Sequence, residues 1–385
     1  MFDSLLALNG DILLMGRGRD SVQNFRLLSE LVLSDPFSDT RAETSTVSRS
    51  KKHELVFRLS QRDLEDLEAL AISNHVVLRS FARLRPVLEA EDEQSSADWI
   101  ENSVQREKAR IDHALRVLHE ICSTLERDGC PVTVIKSLDH WPDLGSDLDL
   151  YTDAPPTELI NVMRKRFKAE LASRSWGDRL ANKWNFIVPG LHELVEVHVG
   201  RLGQTGEQIA VTRSLSARAR LEQMGMYRFR VPAAEDRIVI STLQRMYRHF
   251  YVRLCDIADN ARLLDAHAVD FTYLHSLGLA TGLWEGIATY LTIISEYVET
   301  YRGYGVPLPS LVTESARFGT AQVRLRGDFL RVSIVPHSLN LYASELKALV
   351  LRGEFRNSLR LSLLPCLATA AVIDLKITGS DKGIW

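Results

Sequence analysis

Four short runs of β-type residues, all between residues 131 and 199, interrupt a hydrophobic pattern that is otherwise helical. Two of the runs alternate polar and apolar side chains, which is typical of strands whose two faces meet different surroundings. The runs cover residues 131–136, 147–152, 183–188 and 194–199. So few strands can form only a small sheet, which needs helices to cover it. We therefore predict an α+β protein with a small mixed or antiparallel sheet flanked by helical parts.

The helical pattern on either side of these runs divides the chain into three parts. We expect a helical N-terminal part over residues 1–127, an α/β core over 128–205 and a mostly helical C-terminal part over 206–385. Residues 35–52 are polar and almost without large apolar side chains, so they are predicted to be a mobile loop. The expected helices include one that begins after Ser60 as N-cap, and others over residues 99–127, 156–172 and 235–264.

Composition excludes several classes of protein. The four cysteines are far apart and form no CxxC pair, which argues against a zinc knuckle or a disulfide framework and favours a reducing compartment. The best apolar run, residues 363–373, is too short to cross a membrane, and no secretory pattern is recognisable. We therefore expect a cytoplasmic protein that does not enter the membrane. The formal net charge of −3 argues against a long nucleic-acid partner.

The segment most informative about chemistry is residues 134–151, VIKSLDHWPDLGSDLDLY. Asp147 and Asp149 are two residues apart on a predicted strand, so their carboxylates project from the same face. Two adjacent carboxylates repel each other, and a divalent metal such as Mg²⁺ is the simplest partner for both. The alternative is an edge strand that carries two solvated acids.

Other polar residues extend this candidate site. Lys136 and Ser137 end the preceding strand and could offer a cation, a hydroxyl and backbone N–H groups to a triphosphate, or they could only pack and form a turn. Gly145 and Ser146 could also bind phosphate, although a tight turn is the simpler interpretation. Glu196 would complete a three-carboxylate site if its strand pairs beside 147–152. His198, on the same face, fits a substrate contact and a paired sheet histidine equally well.

A second group of polar residues recurs along the predicted helix over 235–264. His249, Arg253, Asp256 and Asn260 are spaced so that they would share one helix face. A structural network is the simpler interpretation of this face, and a contact to the nucleotide or its acceptor is the alternative. Lys183 is interpreted most simply as a solvated charge at a strand edge.

This order of motifs resembles the nucleotidyltransferase fold of the DNA polymerase β type. The resemblance rests on small residues, about ten further positions, an Asp-apolar-Asp strand and a third acid on a later strand. Together with ELVEVHVG and the helices around RLCDIADNARLLD, it is most similar to a bacterial family of uncharacterised nucleotidyltransferases. It covers residues 50–300. The chain departs from the superfamily pattern in having Lys136 where glycine is usual and Glu196 where aspartate is usual.

The resemblance implies the transfer of a nucleoside monophosphate from an NTP, with Mg²⁺ or Mn²⁺ as cofactor and pyrophosphate as the leaving group. Asp147 and Asp149 would hold the metal, and Glu196 would bind it or take the acceptor's proton. Ser137 and its backbone would bind the β- and γ-phosphates, and Lys136 would add charge compensation. With the charge balance above, the expected acceptor is a small molecule or a peptide or protein side chain. The alternative is a catalytically degenerate fold that binds a nucleotide or a partner without turnover.

Overall fold

The computed structural model describes residues 20–34, 59–333, 337 and 339–366. The loop predicted at 35–52 and most of the apolar run at 363–373 lie outside these residues. The described part is an α+β protein, as predicted. Its helices are α1 (Asp20–Leu33), α2 (Gln61–Ser73), α3 (Val77–Ala90), α4 (Gln94–Arg127), α5 (Pro156–Phe167), α6 (Trp176–Leu180), α7 (Ile209–Arg218), α8 (Ala234–Thr242), α9 (Leu254–Asp265), α10 (Phe271–Thr281), α11 (Trp284–Arg302), α12 (Ser310–Ser315), α13 (Leu339–Leu351) and α14 (Phe355–Ser362).

A five-stranded mixed sheet is built entirely from residues 132–199. Its strands are β1 (Val132–Val134), β2 (Asp147–Thr152), β3 (Glu170–Leu171), β4 (Lys183–Ile187) and β5 (Leu194–Val199). The spatial order is β1-β2-β5-β4-β3, and only the central pair, β2 and β5, is parallel. The four predicted strands are confirmed, with β1 and β4 shorter at their ends than the sequence pattern indicated.

The two faces of this sheet differ sharply in chemistry. Leu148 and Leu150 of β2 lie on one face beside Val195 and Val197 of β5, and all four side chains are fully buried. This apolar face belongs to one hydrophobic core that also includes residues from α1 to α13. The opposite face carries acids, lysines and a histidine. The alternation in the sequence therefore separates the packed side of the sheet from the polar side.

The loop between β1 and β2 is fixed by a buried ion network. Arg79 of α3 donates to Asp143 in this loop, to Asp259 of α9 and to the carbonyl of His140. Asp143 also accepts from the backbone N–H of Leu78, at the first turn of α3. These partners come from all three parts of the chain. The network therefore ties the loop that leads into β2 to both the N-terminal and the C-terminal helical parts.

Local capping explains two helix boundaries in the N-terminal part. Ser60 accepts from the backbone of Asp63, whose side chain accepts from Ser60 in return, so the predicted N-cap of α2 is confirmed as a capping box. α4 begins at Gln94, five residues before the predicted start at Trp99. α5 ends at Phe167 because Lys168 adopts a positive φ of 52°. The predicted end near residue 172 is therefore wrong.

The helix predicted over 235–264 is wrong as a single element. α8 passes into a π-helix at Leu243–His249, Phe250 reverses the backbone with a φ of 54°, and β8 (Tyr251–Val252) follows before α9. The apolar residues keep a helical spacing across the break and are buried on both sides of it, so the sequence pattern indicated one continuous helix. Arg245 and Asp256 form an ion pair of 2.6 Å across the break, and both are buried.

The C-terminal part also contains strands that the helical pattern did not indicate. β6 (Arg220–Met224) and β7 (Tyr227–Val231) form a hairpin, and β8 joins β9 (Val323–Arg326) and β10 (Phe329–Val332) in the order β8-β10-β9. Within the described ranges, the helices are all too short or too polar to cross a membrane.

Candidate active site

The polar face of the central sheet places the predicted acids in neighbouring strands. Asp149 lies opposite Glu196 in the parallel β2–β5 pair, and Glu196 lies opposite Asn185 of β4. Asp147 precedes Asp149 by two residues and projects from the same face. One step further along, His198 lies opposite Lys183. The structure thus brings the three acids of the sequence hypothesis to one side of the sheet.

Lys136 occupies a strained turn directly above this face. Its φ and ψ are 59° and −61°, and the N–H of Ser137 donates to the carbonyl of Ile135 at 2.6 Å. This is a γ-turn with positive φ, a rare conformation that costs about 1–3 kcal/mol for a residue with a side chain. The turn directs the side chain of Lys136 back over β2.

The ammonium of Lys136 lies among the carboxylates. It forms an ion pair with Asp149 and lies 3.5 Å from Glu196 Oε1. Burial works to lower the pKa of Lys136, but Asp149 and Glu196 outweigh it and raise that pKa above its ordinary value. Lys136 therefore remains charged and supplies positive charge to the centre of the acidic group.

A second lysine, which the sequence hypothesis placed in solvent, also neutralises this group. Lys183 is buried, and its ammonium lies 2.6 Å from Glu196 Oε2 and 3.4 Å from Asp178 Oδ1. The interpretation of Lys183 as a solvated charge is therefore wrong. The pairing of β4 with β5 buries it, and that long-range register cannot be read from the β4 segment alone.

Glu196 is consequently held as an anion. Its burial works to raise its pKa, but Lys183, Lys136 and His198 together hold that pKa well below the usual range. His198 Nε2 lies 2.9 Å from Glu196 Oε1 and 3.7 Å from Asp149 Oδ1. So stable an anion suits a charged anchor or a cation ligand better than a group that takes up a proton.

Ser137 supports the backbone of the site and does not line the site itself. The residue is buried, and its hydroxyl donates to the carbonyl of Asp147 at 3.0 Å and accepts from the N–H of Asp149 at 2.7 Å. A hydroxyl has only one proton to donate, so this one is not available to a phosphate. We therefore assign Ser137 to positioning β2 rather than to the phosphate contact that the resemblance implies.

Asp147 differs from the other two acids because it is exposed at the start of β2, next to Gly145 and Ser146. Among the described residues its carboxylate has neither an ion pair nor a hydrogen-bond partner. Partial loss of hydration raises the pKa of Asp147 to about 6, the charges of Asp149 and Glu196 add to this effect, and those of Lys136 and Lys183 oppose it. The net effect is repulsion among the three acids, which a bound cation would relieve.

The π-helix forms the facing wall of a cleft over these residues. One section of the cleft is lined by Lys136, His198, Gln244 and Arg248, among others, and an adjoining section by Lys136, Asp139, Arg237 and Gln244. Arg248 works to lower the pKa of both Lys136 and Lys183, so its charge lies close to theirs. Sequence reasoning missed Gln244 and Arg248, because their approach to the cleft depends on the π-helical geometry.

The polar residues assigned to one helix face are divided by the break at Phe250. His249 ends the π-helix, Arg253 is the N-cap of α9, and only Asp256 and Asn260 are helical neighbours. Asp256 accepts from the N–H of Arg253, and the amide of Asn260 donates to the carbonyl of Asp256. These hydrogen bonds lie within the protein, which favours the simpler interpretation of Asp256 and Asn260 as a structural network.

The donor set fits a divalent cation on chemical grounds. Asp149, Glu196 and His198 each offer a ligand atom within 4.8 Å of the others. Asp147 is not one of this group, but it is near enough for the charges of Asp149 and Glu196 to raise its pKa. Carboxylate oxygens are the ligands that Mg²⁺ and Mn²⁺ prefer. A cation could use Asp149 only if the ammonium of Lys136 moved away from it. No protein-family model, curated protein or solved structure matches the chain, so its chemistry must be judged from this geometry.

Proposed function

We propose that the protein is a metal-dependent nucleotidyltransferase that transfers a nucleoside monophosphate from an NTP to a hydroxyl acceptor. The observation that carries the proposal is the register of β2 and β5, which sets Asp149 opposite Glu196 with Asp147 on the same face. Lys136, which forms an ion pair with Asp149, also lines the cleft beside these acids. This arrangement supports the fold of the DNA polymerase β type that the motifs resemble.

Different residues of the site would bind the triphosphate and the metal. Lys136 and Arg248 line the cleft beside the acids and would bind the triphosphate. Asp147, Asp149 and Glu196 would hold Mg²⁺ or Mn²⁺, which when bound neutralises the charge that develops on the phosphates. Ser137 holds the backbone of β2 so that the first two carboxylates keep their spacing.

The reaction balances without any further reactant. The acceptor hydroxyl oxygen forms a bond to the α-phosphorus of the NTP, and the bond from that phosphorus to the bridging β-phosphate oxygen breaks. Pyrophosphate leaves with the electron pair of that bond. The hydroxyl proton passes to solvent at the exposed side of the cluster, where Asp147 lies.

The proposal is tested by measuring NTP binding and nucleotidyl transfer with and without Mg²⁺ or Mn²⁺. We expect metal-dependent binding that Asp147→Asn abolishes, and a loss of at least about 10²- to 10³-fold in rate, typical of removing one electrostatic stabiliser. Asp66→Asn is the matched control, because Asp66 is an exposed acid on α2. Binding that ignores both the metal and Asp147 would refute the proposal.

A second candidate function is a nucleotide-binding module without turnover. It is favoured by Lys136 and Lys183, whose ammonium groups already neutralise Asp149 and Glu196. On this alternative the lysines bind the phosphates and the metal contributes nothing. NTP binding that is equally tight with EDTA and with Mg²⁺, without transfer to any acceptor, would establish it over the enzyme.

A further inference from the structure

The outer face of the small β8-β10-β9 sheet is strongly basic and aromatic. Leu330 and Val332 of β10 point inwards and are buried, so the alternate residues face outwards. The residues that form this outer face, called the basic-aromatic face below, are Tyr251, Arg324, Arg326, Phe329 and Arg331. The three arginines are exposed, and none of them has an ion pair within the described ranges.

The charges on this face are not arranged for stability. Arg324 lies directly opposite Arg331 in the antiparallel β9–β10 pair. Like charges in opposite positions of two strands destabilise a sheet. A bound polyanion would remove this repulsion, whereas nothing in the described part of the chain does so.

The aromatic rings add a surface suited to flat ligands. Tyr251 and Phe329 stack with their ring centroids 4.4 Å apart and their planes within 18°. The guanidinium of Arg331 lies 5.0 Å from the centroid of Tyr251, and that of Arg253 lies 5.5 Å from the centroid of Phe329. Aromatic rings interleaved with arginines are the combination by which proteins hold single-stranded nucleic acids, through base stacking and phosphate contacts.

The basic-aromatic face is linked to the candidate active site through the end of the π-helix. The π-helix that lines the cleft with Arg248 ends at His249, and β8 begins two residues later. The rings of His249 and Tyr251 lie 5.5 Å apart. Burial lowers the pKa of His249 most, and the charges of Arg248, Arg245, Lys136 and Arg253 add to this effect in that order. His249 therefore lies between the two surfaces.

We propose that the basic-aromatic face binds a single-stranded nucleic acid and presents its terminal hydroxyl to the cleft as the acceptor. This deepens the proposed function and rests on it. It revises the acceptor expected from net charge, which is an average over the whole surface and does not report a local concentration of arginines. A short strand needs only such a local patch, since few phosphates have to be neutralised.

The binding test uses the full-length protein and a short fluorescent oligo(A) RNA with a free 3′ hydroxyl, titrated at about 50 to about 200 mM KCl. We expect the double variant Arg324→Gln/Arg331→Gln to reduce the slope of log K against log salt by about 1.4, or about 0.7 for each phosphate contact. Phe329→Leu should weaken binding by about 5- to 150-fold, the range for loss of one stacking ring.

The matched control removes two arginines from other elements. Arg213 of α7 and Arg228 of β7 are exposed, and Arg213→Gln/Arg228→Gln changes the net charge by the same amount. Equal weakening by both double variants, or no RNA binding in the wild type, would overturn the inference. So would displacement of the RNA by a polyglutamate peptide of equal charge, because this would mean that the face selects acidic peptides rather than bases.

A transfer assay separates this inference from the proposed function. Incubation of the RNA with α-labelled NTP should lengthen it by a nucleotide in the wild type and much less in Arg324→Gln/Arg331→Gln, which should still bind NTP with metal. RNA binding that persists without any metal-dependent NTP binding would refute the proposed function, and with it the acceptor role, but not the binding of RNA to the face. Metal-dependent NTP binding without RNA binding would sink only the assignment of the acceptor.

Discussion

The charge balance around Lys136 permits a quantitative test of the site. Lys136→Met keeps an unbranched side chain and the positive φ of the turn, so it removes the ammonium alone. Lys136 and Asp149 are only 15% and 12% exposed in their side chains. Glu196 retains Lys183 at 2.6 Å, whereas Asp149 retains only His198 at 3.7 Å. The variant therefore leaves Asp149 as a mostly buried and poorly compensated anion.

Removing one partner of such a pair costs about 3–5 kcal/mol, because the remaining charge stays out of water. We expect Lys136→Met to lower the free energy of unfolding at pH 7.5 by this amount in urea denaturation. Lys136→Met/Asp149→Asn should recover about 1–3 kcal/mol of it, since the unpaired charge is then absent. Lys165→Met, which removes an exposed lysine from α5, is the control and should change little.

The same variant also tests the cation site. Without the ammonium, the acids carry one more uncompensated negative charge, so Mg²⁺ should stabilise Lys136→Met more than the wild type. At a concentration 100-fold above its Kd, Mg²⁺ would contribute about 2.7 kcal/mol. If the effects of Lys136→Met and Asp149→Asn simply add, and Mg²⁺ stabilises neither protein, the reasoning about this cluster is refuted.

Two further substitutions test the core and the support of the site. Asp236 is fully buried and its pKa is raised from 3.8 to about 6, chiefly by burial; protonation therefore favours the folded state, and stability is lost as pH rises through this window. In the wild type this loss amounts to about 1.4 kcal/mol of unfolding free energy between pH 5 and pH 7.5, and we expect it to be absent in Asp236→Asn. A variant with the same pH dependence as the wild type in urea denaturation would contradict this. Ser137→Ala should cost about 1–3 kcal/mol and reduce nucleotidyl transfer, because two backbone groups of β2 lose their partner; a full rate with normal stability would rule out the positioning role.

Much of the local structure could be predicted because its causes are local. The alternation at 147–152 indicated a strand with two different faces, and Ser60 indicated the N-cap of α2. The sequence could place the three acids in one site only if the strand that carries Glu196 pairs beside β2. The structure meets this condition with a parallel register.

The remaining features depend on contacts that no local pattern encodes. Lys183 is buried only because β4 pairs with β5 and brings it to Glu196. The break at Phe250 leaves the apolar stripe intact and is fixed by the buried pair of Arg245 and Asp256. The basic-aromatic face likewise arises when β8 joins β10 across about eighty residues of chain, so its arginines look like scattered surface charges in the sequence.

The two departures from the motif that the chain resembles are in contact with each other. The position where glycine is usual has a φ of 59°, so the backbone keeps a conformation that favours glycine although Lys136 occupies it. Glu196 is one methylene longer than aspartate, and one of its oxygens lies 3.5 Å from Lys136 while the other meets Lys183. A shorter acid at this position would recede from both ammonium groups. The lysine and the glutamate therefore depend on each other in this site, since Lys136 supplies positive charge and Glu196 has the length to reach it.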